Sequence, residues 1–310
     1  MTSEHPLAGV YAAAVTPLRE ASSKGDKHDS TLDLESVPVL MSFLASRGCH
    51  GAVLFGTTGE GPSFSPSERE ALMRSVVSHR HQLNGFRLIA GTGTPSLSET
   101  IDLTKLAFDL GYDAALVVPP YYFRKATDDG LFAWFCEVIK KAVPSDKYLI
   151  GYHFPSVAGI GFSIELLSRL KDAFPTQFAG IKDSSHDADL ARTLGEKFGS
   201  DLVVLTGTDS YLKLAMENKA AGCVTAPANL ISPDLREVWD LMREGKDASQ
   251  AQERVTKQRD ILDKYPPFPP TLKALLHRLH GLPRWAVKPP LESISLEMEE
   301  NAFQEFQEIS

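Results

Sequence analysis

Phe178-Ala179-Gly180-Ile181-Lys182-Asp183-Ser184 is a run of strand length, apolar up to a lysine and then abruptly polar. A short apolar run of this kind, followed by turn residues and a longer amphipathic stretch, reads as a fully buried strand that feeds a helix. Seven more runs follow the same plan: Gly9–Val15, Gly51–Phe55, Arg87–Ala90, Ala114–Val118, Tyr148–Tyr152, Leu202–Thr206 and Gly222–Ala226. With Phe178–Lys182 as the sixth in order, eight βα units alternate along the chain, the pattern of a parallel sheet covered by helices. Eight units predict an α/β fold, a closed (β/α)8 TIM barrel. Ser65-Pro66-Ser67-Glu68 and Ser96-Leu97-Ser98-Glu99 support the register, each placing a capping serine three residues before a glutamate.

After the eighth run the pattern becomes purely helical, with helices predicted over Pro233–Glu244, Ala248–Asp263, Pro270–His280 and Glu292–Glu308. Residues 1–230 therefore form the barrel and residues 231–310 a C-terminal helical extension packed on it. The proline-rich piece from Tyr265 to Pro270 reads as a rigid connector. Gly180, inside a strand, reads as a point of close backbone packing.

The 310 residues are 43% hydrophobic, enough for a sizeable core, and carry 40 acidic against 32 basic groups, a net charge of −8. That balance repels polyanions and argues against nucleic acid as a partner. No apolar stretch approaches the ~20 residues of a membrane span. The N-terminal MTSEHPLAG has neither the basic nor the apolar region of a secretory leader. Cys49, Cys136 and Cys223 match no disulfide or zinc spacing and read as reduced thiols of a cytoplasmic protein.

Chemistry in such barrels sits at the C-terminal ends of the strands. There the chain offers Gly56-Thr57-Thr58-Gly59-Glu60, Pro119-Pro120-Tyr121-Tyr122, Tyr152-His153, Lys182-Asp183-Ser184 and Gly207-Thr208-Asp209-Ser210. Lysine is almost never buried without a reason. Desolvation disfavours an ammonium ion, and a neutral lysine is a nucleophile that forms Schiff bases with carbonyl substrates. A lysine merely paired with Asp183, or with another rim aspartate, is the alternative at this point. Gly56–Gly59 reads as a small anion nest for a carboxylate or as a plain turn. Tyr152 and Tyr122 read as proton carriers or as ordinary strand aromatics. A metal site would have to come from His153, Asp183 and His186, which show no ligand spacing; neither metal nor cofactor is expected, and His186 reads as a solvent-side residue at a helix start. Gly91-Thr92-Gly93-Thr94-Pro95-Ser96 imitates a dinucleotide fingerprint but reads as a turn and helix cap.

At these residues the chain resembles the pyruvate-dependent class I aldolase and lyase family, which includes dihydrodipicolinate synthase, N-acetylneuraminate lyase and 2-keto-3-deoxygluconate aldolase. Gly56-Thr57-Thr58-Gly59-Glu60 looks like its carboxylate-binding motif, Tyr152-His153-Phe154-Pro155 its tyrosine motif and Gly180-Ile181-Lys182-Asp183 its Schiff-base motif. The resemblance implies that Lys182 forms an imine with pyruvate or a 2-keto acid and that Tyr152 transfers protons beside it. It implies that Thr57 links Tyr152 to Tyr122, and that Thr58, with the Thr57 N–H, holds the pyruvoyl carboxylate. Gly207 and Val224 would line the pocket, and Tyr122 would reach into a neighbouring subunit, giving a homotetramer or a tight dimer. The partner implied is a small-molecule keto acid with its aldehyde.

Departures from the pattern bear on substrate. The synthase branch has an arginine after Tyr-Asn-x-Pro-Ser that binds the second substrate; here Val157 occupies that place, and His153 stands where asparagine is usual. The sialate branch has an acidic residue where Ser210 follows Asp209. The strings look more like the 2-keto-3-deoxy sugar-acid aldolases, with the hydroxyls of Ser184, Thr208 and Ser210 as candidate contacts to a polyol chain and Asp209 as a further candidate substrate-binding residue. A dehydratase using the same imine, a 4-hydroxy-tetrahydrodipicolinate synthase and a non-catalytic ligand-binding barrel are the alternatives.

Overall fold

In the computed structural model, which describes residues 5–20 and 30–309, eight parallel strands hydrogen-bond in chain order around a closed ring. After β1 (Gly9–Ala13), a small antiparallel pair, β2 (Leu18–Glu20) and β3 (Ser30–Leu32), stands outside the ring. The barrel continues with β4 (Gly51–Leu54), β5 (Arg87–Gly91), β6 (Ala114–Val117), β7 (Tyr148–His153), β8 (Phe178–Asp183), β9 (Val203–Thr206) and β10 (Gly222–Thr225), which closes on β1. All eight expected strands are present, differing from their sequence limits by a residue or two at the ends. The β2/β3 pair was not expected, because three-residue strands carry no readable period. Residues 1–4 of the N-terminal stretch lie outside the described residues, and no described helix is long and apolar enough to cross a membrane.

Alternation along the strands divides the core in two. Tyr11, Val53, Ile89, Leu116, Ile150, Leu205 and Val224 fill the barrel, while the intervening residues pack outward against the helices. Gly180 is required by the approach of β8 to β9: a Cβ there would lie 2.0 Å from the Val203 carbonyl oxygen. The helix starts form as expected. Ser65 accepts the Glu68 N–H and Glu68 returns to the Ser65 N–H at 2.8 Å, while Ser96 caps Leu97–Asp109. The glycine-threonine string before Ser96 is a turn whose Thr92 hydroxyl bonds Thr104 at 2.8 Å.

The C-terminal helices are Ala228–Arg243, Ser249–Asp263, Phe268–His280 and Leu296–Glu308. The first begins five residues earlier than Pro233 signals and is kinked at Ile231. Its early start is anchored by Asn229, whose side chain donates to Ala13 O at 2.8 Å and accepts the Val15 N–H at 3.2 Å, tying the extension to β1.

His50, just before β4, packs against Trp239 with ring centres 4.6 Å apart and planes tilted by 59°, and its Nδ1 accepts the Val10 N–H at 2.9 Å. Burial, with Arg236 and Arg87 adding to it, pushes its pKa from 6.5 to about 4. Between those values the unfolded chain binds a proton that the folded chain refuses, so stability falls as pH falls from about 6.5 to about 4. His50→Asn offers an acceptor to Val10 that does not titrate. It is expected to flatten the dependence of the urea midpoint on pH across this window; an unchanged slope would assign the sensitivity to other histidines.

Candidate active site

Lys182 is carried near the C-terminal end of β8, in register with Tyr152 on β7. Both side chains therefore point into the barrel mouth. Lys182 is 4% exposed, and its Nζ lies 4.1 Å from the centre of the Tyr152 ring. Among the described residues no carboxylate pairs with it. Asp183, one residue further along the strand, faces the helix layer and accepts the Ser185 N–H at 3.0 Å. Its register partner His153 does likewise, accepting the Phe162 N–H on Nδ1 at 2.9 Å. Burial raises the pKa of Asp183 and lowers that of His153, and the attraction between the two opposes both shifts. The lysine–aspartate pairing considered from sequence is thus absent, and His153 and Asp183 are turned away from Lys182. Among the described residues no group of three or more His, Cys, Asp or Glu side chains converges on one point.

The loop after β4 brings hydroxyls to this lysine. Thr57 Oγ1 lies 3.2 Å from the Tyr152 hydroxyl, and Thr58 is buried beside them. The loop is tight: the Glu60 N–H donates to Thr57 O and the Gly61 N–H to Gly56 O, each at 3.1 Å, and the Thr16 hydroxyl donates to Gly59 O at 2.7 Å. Gly61 is obligatory here, since a Cβ would lie 2.1 Å from the Phe55 carbonyl oxygen.

Two lobes meet at Thr57, Tyr152 and Phe154. One, of about 210 Å³, is walled by Thr58, Lys182, Ser184, His186, Gly207, Val224, Arg259 and Phe268, among others. The second, of about 230 Å³, runs past Phe55, Pro62, Arg69, Leu116, Tyr121 and Val157. Of the residues expected at the site, Lys182, Tyr152, Thr57, Thr58, Ser184, Gly207 and Val224 come together around the first lobe. Thr208, Asp209 and Ser210 do not. The Thr208 N–H donates to Thr206 Oγ1 at 3.1 Å, so the turn folds in on itself. Asp209 is fully buried and binds Arg259 Nη1 at 2.6 Å, which makes it the partner of an arginine rather than a group facing substrate. Burial raises its pKa and Arg259 opposes the rise. His186, expected on a solvent-side helix start, is exposed but sits on the pocket rim with φ 60. Tyr122 is 77% exposed, its ring edge-on to Phe123, and it walls neither lobe of this chain.

The C-terminal helices supply walls that the motifs did not reveal. Arg259 and the segment Pro267–Pro269 close the first lobe, so the proline-rich piece is a helix start that roofs the pocket as well as a connector. Lys273 was also missed, though Leu272-Lys273-Ala274-Leu275-Leu276 carries the signal that singled out Lys182, a lone lysine in an apolar run. It is buried against Glu60, the residue that follows Gly56–Gly59.

A parallel barrel that holds an unpaired, buried lysine against a tyrosine bonded to a threonine is built for class I, Schiff-base aldolase and lyase chemistry. The sequence matches the Dihydrodipicolinate synthetase family over residues 6–309, and the chain belongs to that family. It is 36% identical over 289 residues, 93% of this chain and 92% of the relative, to an uncharacterized DapA-like lyase of Chloroflexus aurantiacus. A 4-hydroxy-tetrahydrodipicolinate synthase of Prochlorococcus marinus is 31% identical over 307 residues, 97% of this chain and 94% of the relative. Among solved structures, dihydrodipicolinate synthase from Agrobacterium tumefaciens aligns with a TM-score of 0.84 at 31% identity, covering 97% of this chain and 99% of that one.

Proposed function

We propose that this enzyme is a pyruvate-dependent aldolase that cleaves, or forms, a 2-keto-3-deoxy sugar acid through an imine on Lys182. The observation that carries the reading is the cross-strand pair Lys182 and Tyr152, with Nζ 4.1 Å from the ring and the phenol 3.2 Å from Thr57. Thr58 receives the 2-keto acid carboxylate, and the Lys182 Nζ attacks the carbonyl carbon. The carbinolamine so formed takes up a proton from solvent and loses water, leaving a protonated imine whose nitrogen takes the electron pair of the C3–C4 bond as that bond breaks. The C4 hydroxyl proton leaves to Tyr152 and its Thr57 partner, and the C4 fragment departs as the aldehyde. The remaining enamine takes a proton at C3, and water releases pyruvate. Val157, apolar where the synthase branch has its arginine, supports a neutral polyol tail over a second carboxylate.

The experiment is mass spectrometry after incubation with pyruvate and borohydride. A reduced pyruvate adduct mapping to Lys182 is expected, and its absence on folded protein would sink the imine reading. The name of the Prochlorococcus relative favours a second reading, the synthase, which starts from the same imine. Release of pyruvate from 2-keto-3-deoxy sugar acids would decide against it, while a dehydration product without pyruvate would identify the dehydratase.

Tyr122 and Phe123, 77% and 68% exposed, make a protruding aromatic pair that suits burial by a second copy, in a dimer or homotetramer. The acidic charge and free cysteines suit a cytoplasmic enzyme. Tyr122→Phe is expected to lower turnover without changing the mass measured by light scattering. A fully active monomer would contradict a shared site.

A further inference from the structure

Lys273, 1% exposed, points from the helix Phe268–His280 to the underside of the Gly56–Gly59 loop. Its ammonium donates to Glu60 Oε1 at 2.5 Å and to the Ala286 carbonyl at 2.6 Å, while Glu60 Oε2 accepts the Lys288 N–H at 2.8 Å. One buried carboxylate thus joins the loop to two segments of the C-terminal extension. Buried pairs of this kind rarely stabilise a fold more than apolar residues of the same shape would, so stability alone is a poor account of it. The loop it holds is strained at both ends: Phe55 has φ 55 and Glu60 φ 57, in the left-handed region that side-chain-bearing residues avoid. Such strain persists only where the surroundings impose it.

We infer that Glu60 and Lys273 are positioning residues: from behind the loop, their ion pair holds Thr57 at the Tyr152 hydroxyl and Thr58 in the wall beside Lys182. Neither touches substrate. The inference rests on the roles proposed above for Thr57 and Thr58, and it makes the C-terminal extension part of the catalytic apparatus rather than a cover.

The test uses exchange of the pyruvate methyl protons with solvent deuterium, followed by NMR, which needs the imine and a proton carrier but no aldehyde. Glu60→Gln with Lys273→Met removes both charges together, while Glu60→Gln alone keeps the shape of the side chain but sets an amide N–H against the Lys273 or Lys288 donor and leaves the Lys273 charge without its carboxylate. Both variants are expected to melt cooperatively and to be labelled on Lys182 by borohydride at saturating pyruvate. Exchange is expected to slow about 10- to 100-fold in the double variant, the scale of an ångström of misplacement, and half-saturating pyruvate to rise severalfold. Glu60→Gln alone should shift both quantities in the same direction and by no less, because it strands the Lys273 charge. Wild-type exchange and half-saturation in either folded variant would overturn the inference and leave the pair a structural staple. A wild-type enzyme that pyruvate and borohydride fail to label would instead overturn the proposed function, and the positioning role with it.

Discussion

Lys182→Ala is expected to leave a folded barrel that pyruvate and borohydride no longer label, with turnover reduced at least about 10³-fold. The size follows from chemistry: without an imine, no group at the site accepts the electron pair of the breaking carbon–carbon bond. No other lysine replaces it, because Lys273 is buried against Glu60 on the far side of the loop. Lys182→Arg should fail equally, since a guanidinium stays protonated and does not attack a carbonyl. Stability should change little, because among the described residues Lys182 has no carboxylate partner to strand and its removal leaves no buried charge unpaired. Retained labelling or turnover in either variant, each checked by thermal melting, would end the Schiff-base mechanism.

Tyr152→Phe separates imine formation from proton transfer. The substituted ring still fits under Lys182, so the 4.1 Å stacking and the packing of the barrel mouth are kept. Only the hydroxyl is lost, and with it the link to Thr57. Labelling of Lys182 is expected to persist while kcat falls about 10²- to 10⁴-fold, the range for loss of a general acid–base group. An unchanged kcat would remove Tyr152 from the proton path. Loss of labelling would move its role to imine formation itself.

The two variants probe the part of the site that was legible before the fold. Lys182 ends an apolar run, and a strand interior dictates apolar side chains so strongly that a lysine at its end is conspicuous, whereas Tyr152 read equally as an ordinary strand aromatic until the family resemblance gave it a role. Thr57, Thr58 and Ser184 stand in the polar strings at strand ends and line the first lobe, because the C-terminal ends of parallel strands converge on one rim, whereas the pocket places of Gly207 and Val224 came only from the family resemblance. The rule failed at Thr208 and Asp209, which are rim residues in sequence. Asp209 turns inward to Arg259 of the following helices, and the Thr208 hydroxyl lies 3.4 Å from His186 Nδ1, partners that strand periodicity says nothing about. His153 and Asp183 follow the site residues immediately and still face away, since alternation sends successive side chains to opposite sides of the sheet.

Local order in the chain was enough to determine the eight strands, the capped helices and the lysine at the barrel mouth, because strand periodicity, end-capping and the rarity of a buried lysine are local properties. Tertiary structure alone decided that Glu60 joins Lys273, that Asp209 joins Arg259 and that Pro267–Pro269 roof the pocket. The two ion pairs join residues 213 and 50 positions apart. Buried charges choose partners by proximity in three dimensions, after the helices have docked, and no period along the chain records where docking will bring them.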